Sequence, residues 1–150
     1  MTVLPVGSVF RVKHPDYPQF DRDFKITARN HYYSEGEIWY EYKFYHQDKE
    51  MFLEVEEDCF YFNLKQIEAK DVGVRLFWFR APKQLDYGGK IFPMVEKGKA
   101  KFFEGEDKIA ELFEYFDYQN EHESITIESW EDGDVEIFLS LKLPIEHLNY

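Results

Sequence analysis

Hydrophobic and polar residues alternate with a period of two along most of the chain. The clearest run is 135–143, in which Val, Ile and Leu alternate with polar or aromatic residues. Similar alternating runs begin at Ile38, Met51 and Ile125. Because successive side chains of a β-strand point to opposite faces, each run predicts a strand with one apolar face.

Turn signals at hairpin spacing separate these runs. They fall at 34–36, 46–49, 97–99, 120–123 and 132–133. Asp132-Gly133 is the strongest signal, because glycine accepts the positive φ that a tight hairpin turn requires. Short strands joined by tight turns predict a mainly β fold with little helix, in which antiparallel meanders pack as a barrel-like or sandwich globule.

Three segments depart from strict alternation. Residues 63–70 predict a short helix or a loop. Residues 107–116 have helical spacing of apolar side chains, but we expect a strand from about Leu112. Residues 74–79 are apolar on both faces apart from Arg75, which predicts a strand buried between two halves of the molecule.

The two halves of the chain resemble each other. One set of residues recurs 73 positions later, namely Glu41, Tyr42 and Tyr45 as Glu114, Tyr115 and Tyr118. A second set recurs 74 positions later, namely Glu54, Glu57 and Asp58 as Glu128, Glu131 and Asp132. We interpret the chain as one globular domain, 1–150, with internal repeats at about 7–64 and 88–143 linked by 65–87. Chance likeness between two aromatic hairpins is the alternative.

An ordered series of motifs resembles a known family. The motifs are WYEY at 39–42, FLEVEED at 52–58, YGGKIF at 87–92, FEGE at 103–106 and IESWEDG at 127–133. Together they resemble the bacterial domain-of-unknown-function family 4178, over nearly the whole chain. The resemblance implies a small, β-rich, intracellular bacterial domain, and it carries no catalytic residues with it.

Composition narrows the classes of protein. The 150 residues include 18 Lys+Arg and 30 Asp+Glu, for a net charge of −12, and 19% are aromatic. The aromatic content argues against a disordered acidic chain, and the charge argues against direct binding to nucleic acid or to anionic membranes. Cys59 is the single cysteine, so no intramolecular disulfide forms. With no apolar run long enough for a membrane span, we expect a cytoplasmic protein.

The negative charge is concentrated in one segment. Residues 104–136 contain 13 acidic residues and one lysine, interleaved with aromatic side chains. Carboxylates and aromatic rings together suit organic cations. The candidate binding residues are Glu114, Glu128, Trp130, Glu131 and Asp132, with the repeat-equivalent Glu54, Glu57 and Asp58. An acidic outer face that discourages pairing between edge strands is the competing interpretation.

These residues leave three functional hypotheses open. The leading one is a non-enzymatic binding module that engages a cationic protein or a small organic cation. The second is an enzyme that uses paired carboxylates among Glu54, Glu56 and Glu128 on a small substrate. The third is a DNA-mimicking inhibitor. No cofactor or metal site is predicted, because His46 and His122, the histidines in tight acidic groups, both lie in predicted turns. The oligomeric state is left open.

Overall fold

The computed structural model describes residues 3–75 and 80–150. Strands dominate this part of the chain, and its helical content consists of short 3-10 helices at Pro18–Phe20, Ala69–Val72 and Ile145–His147. The strands are β1 (Val9–Val12), β2 (Phe24–Lys25), β3 (Ala28–Ser34), β4 (Glu37–His46), β5 (Lys49–Val55), β6 (Cys59–Gln66), β7 (Gln84–Tyr87), β8 (Lys90–Phe103), β9 (Glu111–Asn120), β10 (Glu123–Trp130), β11 (Val135–Pro144) and β12 (Leu148–Asn149). None of the helices in the described ranges is long and apolar enough to cross a membrane.

Eight strands close into an antiparallel barrel. Strands β3 to β6 form one meander and β8 to β11 form another. The meanders join where β6 pairs with β11 and where β3 pairs with β8. Strand β7 pairs with β8 outside the ring, and β12, β1 and β2 form a separate small sheet. The mainly β prediction is therefore confirmed in its barrel form.

Alternation along each strand defines an inner and an outer face of the barrel. On β4, Trp39 and Glu41 point into the ring, while Tyr42 and Phe44 point outward. The indole of Trp39 lies 6.3 Å from the ring of Tyr115 on β9, which is separated from β4 by β3 and β8. This contact across the ring identifies the side that carries Glu41 as the inner face.

The outer face of the first meander is an aromatic core covered by the small sheet. Phe10 of β1 and Phe24 of β2 lie 5.1 and 5.2 Å from the ring of Phe44. Phe24 also lies 5.5 Å from Phe62 of β6, which is fully buried. These ring contacts hold the chain termini, through β1, β2 and β12, against the barrel.

The outer face of the second meander is a separate aliphatic core. Ile127 of β10 and Leu139 of β11 are buried there under residues contributed by the segment that joins the meanders. Those covering residues are Ile67, Val72, Val74 and Leu85. Both outer faces are thus shielded from water by chain segments that lie outside the ring.

Strand β8 overturns one predicted turn. Residues 97–99 do not form a turn, because β8 continues without a break from Lys90 to Phe103 and pairs with β9 along most of that length. Gly98 is required there for a different reason. A Cβ at this position would lie 2.6 Å from the phenol oxygen of Tyr115, so the side chain of Tyr115 occupies that space.

The three irregular segments differ in outcome. Strand β9 begins at Glu111, so the strand predicted from about Leu112 is confirmed. Strand β6 continues to Gln66, and a 3-10 helix follows it, so 63–70 is part strand and part helix. The strand predicted at 74–79 lies largely outside the described residues. The two meanders follow the same strand order, and their origin by duplication stays a prediction.

Candidate functional site

Two pairs of glutamates lie opposite each other on the inner face. Glu41 of β4 is the direct cross-strand partner of Glu54 on β5, and Glu128 of β10 is the partner of Glu136 on β11. Like charges directly opposite each other in a sheet are destabilising. The charge of Glu128 raises the pKa of Glu54, and the charge of Glu41 raises the pKa of Glu128. The two pairs therefore face one another across the barrel.

Glu41 is held in a fixed orientation by hydrogen bonds. Asn30 donates from Nδ2 to Oε1 of Glu41 over 3.1 Å, and the hydroxyl of Tyr32 donates to Oε2. Asn30 is itself oriented by the backbone N–H of Gly105, which donates to its Oδ1 over 2.9 Å. These donors favour the ionised carboxylate, but burial outweighs them and raises the pKa of Glu41.

Glu54 and Glu128 have the most strongly perturbed carboxyl groups of the interior. Burial raises the pKa of both well above the ordinary range, and the negative charge of Glu41 raises both further. Only 9% of Glu128 is exposed. The groups that most affect its pKa, after burial, are the carboxylates of Glu41, Glu136 and Asp117. The interior therefore concentrates carboxyl groups in a poorly solvated space that disfavours their ionised form.

Asp117 of β9 extends the acidic group towards a lysine. Burial raises the pKa of Asp117 to about 6, although Thr126 donates a hydrogen bond to it over 2.6 Å. The Lys142 ammonium lowers this pKa only weakly. Lys142 Nζ lies 5.5 Å from the centre of the Tyr61 ring and 3.3 Å from Oε1 of Gln119. The interior thus already holds one ammonium group against an aromatic face.

An aromatic layer lies next to the carboxylates. The inner position two residues from Glu41 on β4 is Trp39, and the inner position two residues from Glu128 on β10 is Trp130. Trp39 stacks on Tyr32 at 5.2 Å, and Trp130 stacks on Phe113 at 4.6 Å. Indole and phenol rings therefore border the carboxylates on one side.

Several side chains of the inner face keep partial contact with water. Ile127 and Leu139 on the outer face are 0% and 5% exposed, whereas the inner Glu54, Asp117 and Tyr115 are all partly exposed. Dense protein surrounds these inner side chains, which is why their pKa values rise. Water therefore reaches some inner side chains, although Glu41 and Glu128 are buried.

The structure divides the predicted site residues into two groups. Glu54, Glu128 and Trp130 lie on the inner face and come together with Glu41. The others are exposed, in the turns after β5 and β10 or on the outer side of β9. They are Glu57, Asp58, Glu131, Asp132 and Glu114. The acidic segment 104–136 is accordingly not one continuous surface, because Asp117, Glu128 and Glu136 turn inward.

Sequence reasoning missed Glu41, Asp117 and Glu136 as interior groups. A charged residue in an alternating strand was interpreted as facing solvent. That interpretation holds only when one face of the strand packs on a core and the other face is open to water. The signal that could have found them is a tryptophan two positions away. Trp39 precedes Glu41 and Trp130 follows Glu128, which places a large apolar ring and a carboxylate on the same face.

A second acidic group lies outside the barrel interior. Ligand atoms of Glu56, Asp58 and Cys59 fall within 4.8 Å of one another. The thiol of Cys59 lies 3.3 Å from Oε2 of Glu56, and burial together with that carboxylate raises its pKa to about 12. In the metal-free protein the thiol of Cys59 is therefore held in its protonated form beside Glu56.

Taken together, the fold defines a closed antiparallel β-barrel with apolar outer faces under short covering segments and an acidic, aromatic interior. Comparison with known protein families identifies the family of this chain. The chain belongs to the family described as Domain of unknown function (DUF4178), which matches residues 20–144. The match confirms the resemblance noted in the motifs. The chain matches no curated protein and no solved structure.

Proposed function

We propose that the protein is a non-enzymatic binding module that takes a small organic cation into its acidic, aromatic barrel interior. One observation carries the proposal. Two like-charged glutamate pairs, Glu41 with Glu54 and Glu128 with Glu136, face each other inside the ring, next to Trp39 and Trp130. An arrangement that costs stability in the free protein is explained if a cation neutralises it.

The chemistry of the lining favours an organic ammonium over a hard metal ion. Ca²⁺ and Mg²⁺ require six or more oxygen ligands, whereas both carboxylate oxygens of Glu41 are already engaged by Asn30 and Tyr32. Ammonium groups are attracted both to carboxylates and to aromatic faces. Lys142 above Tyr61 is an example of that pairing within the same barrel.

Cation binding should be coupled to proton release. Burial raises the pKa of Glu54 and Glu128, so the free protein holds protons on these carboxyl groups more tightly than an exposed glutamate does. A bound cation favours the ionised carboxylates, and protons leave as it enters. Affinity should therefore increase as pH rises, because ionising these carboxyl groups then costs less.

Titration calorimetry with spermidine at low salt tests the proposal. We expect wild-type protein to bind it and to release protons, measured as a difference in heat between buffers of different ionisation enthalpy. Glu128→Gln should weaken binding at least 10-fold, because it removes one interior charge. Its matched control is Glu131→Gln, three residues away in the exposed turn, which should bind like the wild type.

Two results would contradict the interior site. Absence of any heat or shift in melting temperature with spermidine would exclude binding of this class of cation. A loss of affinity in Glu131→Gln together with unchanged affinity in Glu128→Gln would move the site to the exposed turns. That outcome would favour a basic protein partner, or the DNA-mimicry alternative, because Glu57, Asp58 and Asp132 are also exposed in turns.

The acidic interior also supports a second candidate, an enzyme acting on a small substrate. The supporting observation is Asp117, whose pKa of about 6 suits proton transfer near neutral pH, within the same interior as Glu54 and Glu128. Glu56, in contrast, is exposed and contacts Cys59. Turnover of a compound that is abolished by both Asp117→Asn and Glu128→Gln would favour this candidate over stoichiometric binding.

We further expect the protein to act in a reducing bacterial cytoplasm. Its single cysteine, Cys59, is buried and donates to the carboxylate of Glu56. The raised pKa of about 12 keeps the thiol protonated, so it is not suited to disulfide exchange. Fractionation of the native bacterium, with the protein detected by antibody, tests this location.

A further inference from the structure

Strand β8 has an open edge between two of its neighbours. One edge of this 14-residue strand pairs with β9 from Met94 to Phe102. Along the other edge, β7 pairs with residues 90–93 and β3 pairs with residues 101–103. Among the described residues, no strand pairs with that edge over 95–100. At about 3.3 Å per residue, this gap has room for about five residues of a further strand.

The backbone of β8 presents hydrogen-bonding groups to the gap. The hydroxyl of Ser34, the last residue of β3, donates to the carbonyl of Lys99 over 2.6 Å, so Lys99 directs its polar groups to this edge. Successive residues of a strand direct these groups to opposite edges, so Lys97 faces the same way as Lys99. Val95, Glu96 and Lys97 are exposed in succession, as residues at an open edge are. The N–H and C=O of Lys97 can therefore pair with a further strand.

Three lysines lie on the outer face of β8 beside the gap. Lys97, Lys99 and Lys101 alternate with Gly98 and Ala100, which lie on the inner face against aromatic rings. All three lysines are exposed, and none forms an ion pair with a carboxylate in the part of the chain that the structure describes. In a chain with a net charge of −12, this row is a local excess of positive charge.

An added strand would place its side chains against these lysines. Residues directly opposite each other in a ladder have Cβ atoms about 4.5–5.5 Å apart, so alternate residues of the new strand would lie beside Lys97 and Lys99. Glu114, the cross-strand partner of Lys99, lies on β9 and so on the other side of β8 from the gap. Carboxylates at the alternate positions would pair with the lysines, whereas ammonium groups there would be repelled.

The same lysines argue against a second copy of this chain as the occupant. Two β8 edges paired antiparallel would bring Lys97 and Lys99 of one copy opposite the same residues of the other. Lysines and a β-bulge, which β8 has between Met94 and Glu96, are features that protect open edges from such pairing. The edge therefore disfavours its own sequence and favours an acidic one.

A depression at one end of the gap offers a place for an apolar side chain. It has a volume of about 170 Å³ and lies where β3 meets β8, with Tyr33, Lys101 and Leu112 among its lining residues. Tyr33 and Leu112 are 40% and 41% exposed, so water contacts large apolar side chains here. Pockets that accept alternate side chains give specificity to peptides that bind by strand addition.

We propose that the open edge of β8 binds an extended, acidic segment of a partner protein by strand addition. Backbone hydrogen bonds to Lys97 and Lys99 hold the segment, and its carboxylates pair with the lysine side chains. One apolar side chain of the segment enters the depression beside Tyr33. This surface does not use the interior carboxylates Glu54 and Glu128, so the binding is independent of the cation site proposed above.

Fluorescence anisotropy with a labelled acidic peptide tests the proposal. The probe is acetyl-Val-Glu-Val-Glu-Val-amide, which has a strong preference for the extended conformation. We expect the full chain to bind this peptide at low salt, although both carry net negative charge. A second peptide with proline in place of the central valine keeps both glutamates and loses a backbone donor. It should bind at least 10-fold more weakly.

Variants of matched net charge locate the site. Lys97→Glu combined with Lys99→Glu should weaken binding of the acidic peptide at least 10-fold. The control combines Lys13→Glu with Lys25→Glu, which changes two exposed lysines elsewhere by the same total charge and should bind nearly as the wild type does. Glu128→Gln should also keep the wild-type affinity. Far-UV circular dichroism checks the fold of each variant.

Four outcomes would overturn the proposal. The wild type may be found not to bind the acidic peptide, or to bind the proline peptide equally well, which would exclude a β-ladder. Equal losses in the two double variants would show that the peptide responds only to net charge. Self-association of the wild type in sedimentation experiments, abolished by Lys97→Glu with Lys99→Glu, would assign the edge to a second copy of the chain.

Discussion

The inner and outer faces of the barrel have opposite compositions. The outer faces carry fully buried apolar residues such as Phe62 and Ile127, packed under covering segments of the same chain. The inner face carries carboxylates such as Glu54 and Glu128, which remain poorly neutralised. A small barrel usually fills its interior with apolar side chains. Here the two larger apolar cores lie outside the ring, and the interior combines a smaller aromatic cluster around Tyr32, Ala100 and Phe113 with the carboxylates.

This difference separates stability from function in the molecule. Burial of the outer aromatic and aliphatic clusters supplies the favourable free energy of folding. The inner carboxylates oppose folding, because burial and mutual repulsion raise their pKa values. Neutralising an inner carboxylate should therefore raise stability, whereas truncating a buried apolar side chain of the outer faces should lower it.

The largest effect is expected on the outer face. Phe62→Ala removes a ring that packs on Phe24, Phe44 and Phe20, and it should lower the free energy of unfolding by about 3–5 kcal/mol. The matched control is Phe138→Ala, on the partly exposed inner face of β11. Urea unfolding followed by tryptophan fluorescence measures both. Equal losses in the two variants would contradict the assignment of the main core to the outer faces.

An intermediate effect, of opposite sign, is expected inside the barrel. The pKa of Asp117 is about 6 in the folded protein against an ordinary value of 3.8, so the folded chain binds its proton more tightly than the unfolded chain. The destabilisation is absent at low pH, grows as pH rises between these two values and then stays constant. The destabilisation amounts to at most about 3 kcal/mol. It is smaller than this limit because the carboxyl group is partly exposed and water stabilises its charge.

Asp117→Asn removes this titration while keeping an acceptor for Thr126. We expect the variant to be more stable than the wild type at pH 7 and to gain no such advantage at pH 4. Urea unfolding at several pH values measures the difference. A variant whose stability relative to wild type does not change between these pH values would show that Asp117 is solvated normally.

The sequence predicted the strands better than it predicted the faces. Alternation located β4, β5, β10 and β11 within a few residues, because a period of two depends only on local geometry. It could not show that both faces of these strands are enclosed. That depends on β1, β2 and β12 covering one side and on ring closure through β3 and β8, which are contacts between distant segments. The inward direction of Glu54 and Glu128 follows from closure alone.

Gly98 is a second residue whose role depends on a contact that the local sequence does not show. Glycine between two lysines was interpreted as a turn, because local sequence favours that reading. Its role instead depends on Tyr115, 17 positions later in the chain and its direct partner across the β8–β9 ladder. Pairwise contacts of this kind become visible only in the folded ring.

Gly98→Ala should have the smallest effect on stability, and it tests how tightly the inner face packs around Tyr115. Gly98→Ala would place a Cβ 2.6 Å from the phenol oxygen and 2.8 Å from Cζ of Tyr115, so ring or strand must shift. We expect a loss of about 1–2 kcal/mol in the free energy of unfolding, measured by urea. Adding Tyr115→Ala removes the obstructing ring, so the double variant should lose less than the sum of the two single losses. Additive losses would instead mean that the interior has room for the ring to move aside.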